Sequence, residues 1–469
     1  MLTHRLKRNF TGGELSPTLS AQVENDRYKY GCRKLQNMIV KPQGPTSRRE
    51  GFLFIYDLTT LIGTNDKSIL PRMIPFEYDK GNSYALVFYY YTTGGVTTTR
   101  IVFATDNGLV EDPNDPGNPY IYELTGIFAL EKFVYKQSND IVYIAQPGRI
   151  PIELKRLAHD SWSANEVTLT NAPTDWNNTD GFPQFVDFYE QRLIYASTMK
   201  RPQTIWFSKS GSFYDFGKQT PQVASDSVTL TLDSGTQNRI KWTNSSKQLL
   251  IGTHGDEWAI SGSGYEPLSF TSNRTARHTN QGSEKVQPLM IGNVTLFIER
   301  HGRKVNQFIF DYNSDSYDAI DLSALAPHLT ENHSISDWTY QQTPYGIVWC
   351  VRDDGTLIAL TFKREHKVTG WHVHDTQGKF LTICCIPGNR EDDLWAVVER
   401  TVGGVKKWYI EKKAPEFKSD SILDSYFLDS HLVYNGEPVN VVTGLDHLEG
   451  MEVGVLADGS VVSNRTVVD

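Results

Sequence analysis

Seven short apolar runs recur along the 469 residues at an interval near fifty, and this repeat limits the fold more than any other feature of the chain. They are Tyr84–Phe88, Ile141–Ala145, Arg192–Ala196, Gln248–Gly252, Val294–Ile298, Gly346–Cys350 and Asp393–Val397. Successive starts lie 57, 51, 56, 46, 52 and 47 residues apart. After each run comes a turn rich in Gly or Asp, then a second strand, and often a third carrying an aromatic residue. In the clearest unit, Val351–Thr356 forms the turn, Leu357–Phe362 the next strand, and Gly370–Val373 the third. Its Asp354-Gly355 pair between two apolar runs is a strong hairpin signal.

A unit of about 50 residues with three or four antiparallel strands has the size of a propeller blade. One such sheet cannot bury both faces alone, whereas a ring of them can, and closing the ring protects most edges. The expected fold class is therefore all-β, an irregular β-propeller of about seven blades; the uneven spacing also admits six or eight. An irregular array of β-sandwiches is the structural alternative. Many Thr and Val residues, with 23 Tyr, 22 Phe and 10 Trp, favour strands, and 36 Gly and 21 Pro spread along the chain supply turns. Short helical turns are expected near Ser323–Leu329 and within Ser419–Leu428.

Two flanks stand outside the repeat. Residues 1–50 form an arm punctuated by Gly and Pro, residues 51–415 the propeller body, and residues 416–469 open a C-terminal β module. That module turns at Asp458-Gly459 and is expected to be cut short at Asp469, because about 50 residues make a marginal domain. The arm holds ten Lys/Arg against four Asp/Glu, a balance of +6; the whole chain is −9, so the remainder carries −15. A stable DNA binder would instead show a basic face on its folded body. The arm is either a solvated tail or a segment that docks on a neighbour. Its basic beginning lacks an apolar core behind it, which argues against a signal peptide, and no apolar run reaches the roughly 18 residues of a membrane span.

Chemistry-bearing groups are sparse. Cys32, Cys350, Cys384 and Cys385 contain no CxxC pair, and free thiols in a reducing cytoplasm are expected. His372 and His374 would share one face of a strand, but no third ligand is identifiable, so surface histidines are expected rather than a metal pair. Asp353 and Asp354 fit a hairpin turn better than a glycosidase pair. His254-Gly255-Asp256 lacks a nucleophile elbow, Gly12-Gly13 reads as a backbone bend, and Tyr89-Tyr90-Tyr91 reads as core. No catalytic residue, cofactor or resident metal is expected, and the chain is not expected to be an enzyme.

Two stretches carry a family resemblance. The first is Phe10-Thr-Gly-Gly-Glu-Leu-Ser-Pro17, then Asp26-Arg-Tyr-Lys-Tyr30, Gly31-Cys32, Leu35-Gln-Asn-Met38, Pro42-Gln-Gly-Pro45 and Ser47-Arg-Arg-Glu-Gly-Phe52. The second runs from Phe188-Tyr-Glu-Gln-Arg-Leu193 through Ile205-Trp-Phe-Ser208 and Phe213-Tyr-Asp-Phe216. It continues with Asp226, Asn238-Arg-Ile240 and Gln248-Leu-Leu-Ile251 to Asp256-Glu-Trp-Ala-Ile-Ser-Gly262. Together they cover about a quarter of the chain. Their order resembles tail tubular protein B, the tail nozzle protein of short-tailed, podovirus-type bacteriophages. At its C-terminus the chain departs from that family, whose members usually continue further.

The resemblance implies a structural subunit of the virion tail, made and assembled in the host bacterial cytoplasm. It implies a hexameric ring of copies of this chain below the head-to-tail adaptor, receiving tail fibres or spikes. Phage DNA would pass through the lumen during ejection without stable binding, and an acidic body suits that, because fixed Lys and Arg contacts to phosphates would hold the DNA. The docking arm would act through Arg5, Lys7, Arg8, Arg27, Lys29, Arg33, Lys34, Arg48 and Arg49. Alternatives are another virion β protein, such as a fibre adaptor or connector, and a propeller lectin or glycan-acting enzyme.

Overall fold

The computed structural model describes residue 7, residues 9–19, residue 24 and residues 26–64, 68–79, 81–106 and 108–468. The chain is all-β. Among the described residues it contains seven antiparallel sheets of at least four strands, which resemble propeller blades, together with smaller two-stranded pairs and short 3-10 turns. It divides into two compact units, one of residues 126–334 and one of residues 1–125 with 335–469.

The unit of residues 126–334 holds the second to fifth sheets, each a simple up-and-down meander. The second consists of Val134–Ser138, Ile141–Gln146, Arg149–Ala158 and Ser161–Glu166, and the third of Phe185–Tyr189, Arg192–Ala196, Thr204–Phe207 and Val228–Thr231. The fourth follows with Ile240–Ser245, Leu249–Thr253, Glu257–Ser261 and Arg274–Thr279, and the fifth with Leu289–Ile291, Val294–Ile298, Val305–Asp311 and Ser316–Asp321. Apolar layers lie between successive sheets. Tyr143 and Ala145 meet Leu193, Tyr195 and Trp206; Phe207 and Ile194 meet Leu249 and Ile251; Trp242 and Leu250 meet Phe297 and Phe308.

The other unit holds the first, sixth and seventh sheets. The first is Arg72–Asp79, Asn82–Thr93, Val96–Thr105 and Ile121–Leu124, with Gly108–Leu109 added beside the third of these. The sixth is Ile335–Gln341, Ile347–Arg352, Leu357–Lys363 and Val368–His374, and two short arm strands, Gly13–Glu14 and Gly31–Cys32, extend it in parallel. The seventh consists of Lys379–Pro387, Asp392–Val402 and Val405–Lys413, and its fourth strand is Phe52–Asp57 from the beginning of the body. Trp395 and Trp408 of the seventh sheet pack with Val87 and Val102 of the first. Phe52, Phe380 and Leu394 pack with Trp349 and Leu357 of the sixth, and Ile39 of the arm joins them.

Every apolar run of the repeat lies on the second strand of its sheet. Such a strand is hydrogen-bonded on both sides and covered on both faces, so its sequence is a continuous apolar run instead of an alternating one. Arg192–Ala196, Leu249–Thr253 and Val294–Ile298 are buried at every position. Another strand of the same sheet precedes each run, so the true start of each unit lies upstream of the run itself. The hairpin expected at Asp354-Gly355 is present, with Gly355 at φ +88°. Helical turns occur at Pro327–Leu329 and Ile422–Asp424.

The arm and residues 416–469 belong to the same unit as the first, sixth and seventh sheets. The C-terminal hairpin pairs Glu452–Ala457 with Ser460–Thr466 across Asp458-Gly459. All four cysteines are free thiols, Cys350 and Cys384 buried. Among the described residues no helix is long and apolar enough to cross a membrane.

Phe52 is fully buried, its ring 5.3 Å from Phe380, on the strand that completes the seventh sheet. Phe52→Ala is expected to lower the stability of this unit by about 3–5 kcal/mol, read from the urea-unfolding midpoint followed by tryptophan fluorescence.

Candidate functional site

The region that gathers the most buried polar chemistry is the seat of the arm on the sixth and seventh sheets. Gly13 lies at φ +67°, and a Cβ there would fall 2.2 Å from the Trp371 backbone nitrogen. Only glycine permits that approach, which gives the Gly12-Gly13 bend its reason. The buried Glu14 carboxylate accepts from the Leu35 N–H at 2.6 Å. Further along, the Val373 N–H donates to Leu35 O at 2.9 Å and the Asn37 N–H donates to Val373 O at 2.8 Å. The Asn37 and Gln36 side-chain amides donate to the Asp375 carboxylate.

Arg49 forms a two-pronged pair with Asp429, Nη1 to Oδ1 and Nη2 to Oδ2 both at 2.9 Å, and also donates to Glu50 O at 2.8 Å and Asp375 O at 3.2 Å. Nearby, Arg400 holds Glu411 by two contacts of 2.7 Å, and Lys413 lies 3.3 Å from Glu50. Burial would raise the Asp429 carboxyl; the Arg49 guanidinium outweighs it and holds the group below the ordinary carboxylate value. For Glu411 the balance is reversed, burial winning over the attraction of Arg400.

His372 and His374 correct the sequence expectation of surface histidines, since both are fully buried. They do share one face of Val368–His374. Thr361 Oγ1 donates to Val40 O at 2.8 Å. With its proton so placed, the hydroxyl accepts from His372 Nε2 at 3.1 Å. His372 Nδ1 must then accept from His374 Nε2, at 2.6 Å. Both rings are neutral in this chain of bonds, and burial pushes His372 down to about 3 and His374 well below the ordinary histidine value. Three of the four ring nitrogens are thus engaged, which does not suit a metal pair. His374 Nδ1 and Arg49 Nε have no hydrogen-bond partner among the described residues.

Of the residues proposed to dock, Arg5 and Arg8 lie outside the described residues. Lys7, Lys29, Arg33, Lys34 and Arg48 are exposed, and Arg27 is half-buried. Arg49 is the correction within this set: it is only 5 % exposed and is bound to Asp429 of its own chain, so it is not offered to a neighbour. The partners Asp429 and Asp375 went unrecognised in the sequence because they lie more than 300 residues from the arm and fit no local spacing.

The second motif stretch also has structural work. Glu190 and Gln191 take positive φ values of 46° and 60° in the turn before Arg192. The buried Arg192 guanidinium then donates to the carbonyls of Ser208 and Asp226, both at 2.7 Å, and of Ala224 at 3.0 Å, pinning the loop between two strands of the third sheet. Glu190 accepts from the Leu268 N–H at 2.6 Å. His254-Gly255-Asp256 forms a turn in which Asp256 accepts from Asn238 at 2.8 Å, and Asp354 pairs with Arg352 in its hairpin.

In the unit of residues 126–334, the first strands of the second, third and fourth sheets lie side by side, and charges pair on and beside them. Lys136 reaches Asp187 at 3.0 Å and Lys241 reaches Glu284 at 3.3 Å, while Gln287 donates to Tyr135 O at 2.9 Å.

No protein-family model and no curated protein matches the chain. Among solved structures it is similar to the β-propeller domain of Cps50 (Swd1) from Myceliophteria thermophila, at 10 % identity over 73 % of this chain and 95 % of that one, with a TM-score of 0.41. It is also similar to the WD40 domain of Pan2 from Neurospora crassa, at 9 % identity over 79 % and 98 %, with a TM-score of 0.42.

Two outcomes are expected at the arm seat. Arg49→Ala leaves the Asp429 carboxylate buried and uncompensated and should cost about 3–5 kcal/mol in urea unfolding. The histidines should make stability pH-dependent. Their folded-state values lie below 6.5, so the unfolded chain takes up protons that the folded chain refuses. Stability is then complete above pH 6.5 and falls on acidification, by up to about 1.4 kcal/mol per pH unit for each ring. A His372→Gln variant should show a shallower loss of urea midpoint between about pH 6.5 and 4.5 than the parent chain.

Proposed function

We propose that this chain is a structural subunit of the tail nozzle of a short-tailed bacteriophage, and not an enzyme. The observation that carries the reading is the form of the arm. The described residues of the arm pair with the sixth sheet at Gly13, Leu35 and Asn37, lead into the strand that completes the seventh, and expose Lys7, Lys29, Arg33, Lys34 and Arg48. A basic surface on a body of net −15 is suited to docking on other acidic subunits.

In this reading six copies form a ring in the virion tail below the head-to-tail adaptor and receive fibres or spikes. Ejected DNA needs a path without fixed phosphate contacts. The pairing of Lys136 with Asp187 across two first strands, and of Lys241 on a third with Glu284 in the segment before the fifth sheet, is compatible with that need, since a lysine already facing a carboxylate is a weak phosphate ligand.

The test is negative-stain imaging of the protein mixed with DNA-filled, tail-deficient phage heads. The expected result is a six-fold tube added below the neck. Heads left unchanged, with binding or cleavage of host-surface glycan instead, would replace this reading by the lectin or glycan-acting alternative.

A further inference from the structure

We infer that the C-terminal segment of one copy of this chain covers the basic arm surface of a second copy, an inference that rests on the multi-subunit reading above. Leu432–Gly444 is exposed at every residue, although it carries Leu432, Val433, Tyr434, Val439, Val441 and Val442, with Val441 72 % exposed. Six exposed apolar side chains within eleven residues mark a surface that is covered in the working state. The hairpin of Glu452–Ala457 and Ser460–Thr466 follows it and pairs with no third strand among the described residues. Two strands alone are marginally stable in water, and each presents an open edge of N–H and C=O groups.

Charge selects the occupant. From Glu416 onward the chain has ten Asp/Glu against two Lys/Arg, a balance of −8, which disfavours nucleic acid and other anionic partners. The surface of opposite sign in the same chain is the arm, at +6. Arm and C-terminal segment already meet inside one copy, where Arg49 binds Asp429 and Lys41 lies 2.7 Å from Glu416. Those four groups are largely withdrawn from water, so they do not neutralise what remains outside. On the arm the remainder includes Arg33 and Lys34, which follow Gly31–Cys32, the outermost strand of the sixth sheet, and the exposed Arg48. On the C-terminal segment it includes Glu437, Glu449 and the apolar run. The two surfaces differ, so the contact is heterologous and propagates from copy to copy, as a ring requires.

The experiment is analytical ultracentrifugation of the full chain across a concentration series at low and high salt, with three variants. Arg33→Glu with Lys34→Glu reverses the arm, Glu437→Lys with Glu449→Lys reverses the segment, and the third variant carries all four changes. The expected result is association of the parent chain that weakens with salt, weakens at least about tenfold in either reversed variant, and returns in the four-fold variant. Val441→Asp should weaken it too while leaving the circular dichroism spectrum unchanged. A parent chain that stays monomeric at its solubility limit in low salt overturns the inference. So does association that ignores both reversals, or loss that the combined reversal does not restore. The nozzle reading is judged separately on tail-deficient heads: a tube formed equally by both reversed variants leaves the nozzle and removes this contact, whereas charge-swapped association without any tube leaves the contact and removes the nozzle.

Discussion

The antiparallel pairing of Phe52–Asp57 with Val405–Lys413 ties together parts of the chain about 350 residues apart, and the unit around it depends on that tie. Without the fourth strand, the edge of Val405–Lys413 would be open, and Phe52 would leave the core it shares with Phe380 and Trp349. Such a distant pairing carries a large loop-closure cost before any contact rewards it. That cost is offset by full burial of Trp395, Trp408 and Phe52 and by continuous backbone pairing across the seventh sheet.

The buried charges around the arm follow from the same geometry. The described arm residues pair with the sixth sheet at Gly13 and again at Leu35 and Asn37. Their polar groups are then taken out of water and need partners. Arg49 finds Asp429, Lys413 finds Glu50, and the Glu14 carboxylate takes the Leu35 N–H. Buried ion pairs of this kind contribute little net stability compared with apolar packing, but losing one partner is costly. They therefore specify where the arm lies more than they strengthen the fold. The described part of the arm is held by these contacts, and Arg33, Lys34 and Arg48 remain exposed beside them.

The two stretches that carry the family resemblance are explained by folding demands at many positions. Gly13 is required by close approach to Trp371, Arg192 by the carbonyls of a long loop, and Glu190 and Gln191 by a tight turn. Such residues record an architecture. The docking reading rests on what lies outside those demands, chiefly the exposed Arg33, Lys34 and Arg48 and the uncovered apolar run after His431.

The sequence by itself determined the repeat and much of its local form. A strand bonded on both edges and covered on both faces must be apolar throughout, so the seven second strands, with hairpin turns such as Asp354-Gly355, were legible one by one. Strands before the runs such as Val134–Ser138 and Leu289–Ile291 were not, because they hold no fully buried position and have no such signature. Nor could the sequence place His372 and His374. Period-two alternation puts them on one face, but the arm crossing over that face is what buries them. The fourth strand of the seventh sheet and the partners of Arg49 were likewise decided only by tertiary structure. Pairing across several hundred residues depends on which surfaces the folded sheets bring together, and no local spacing in the chain encodes that.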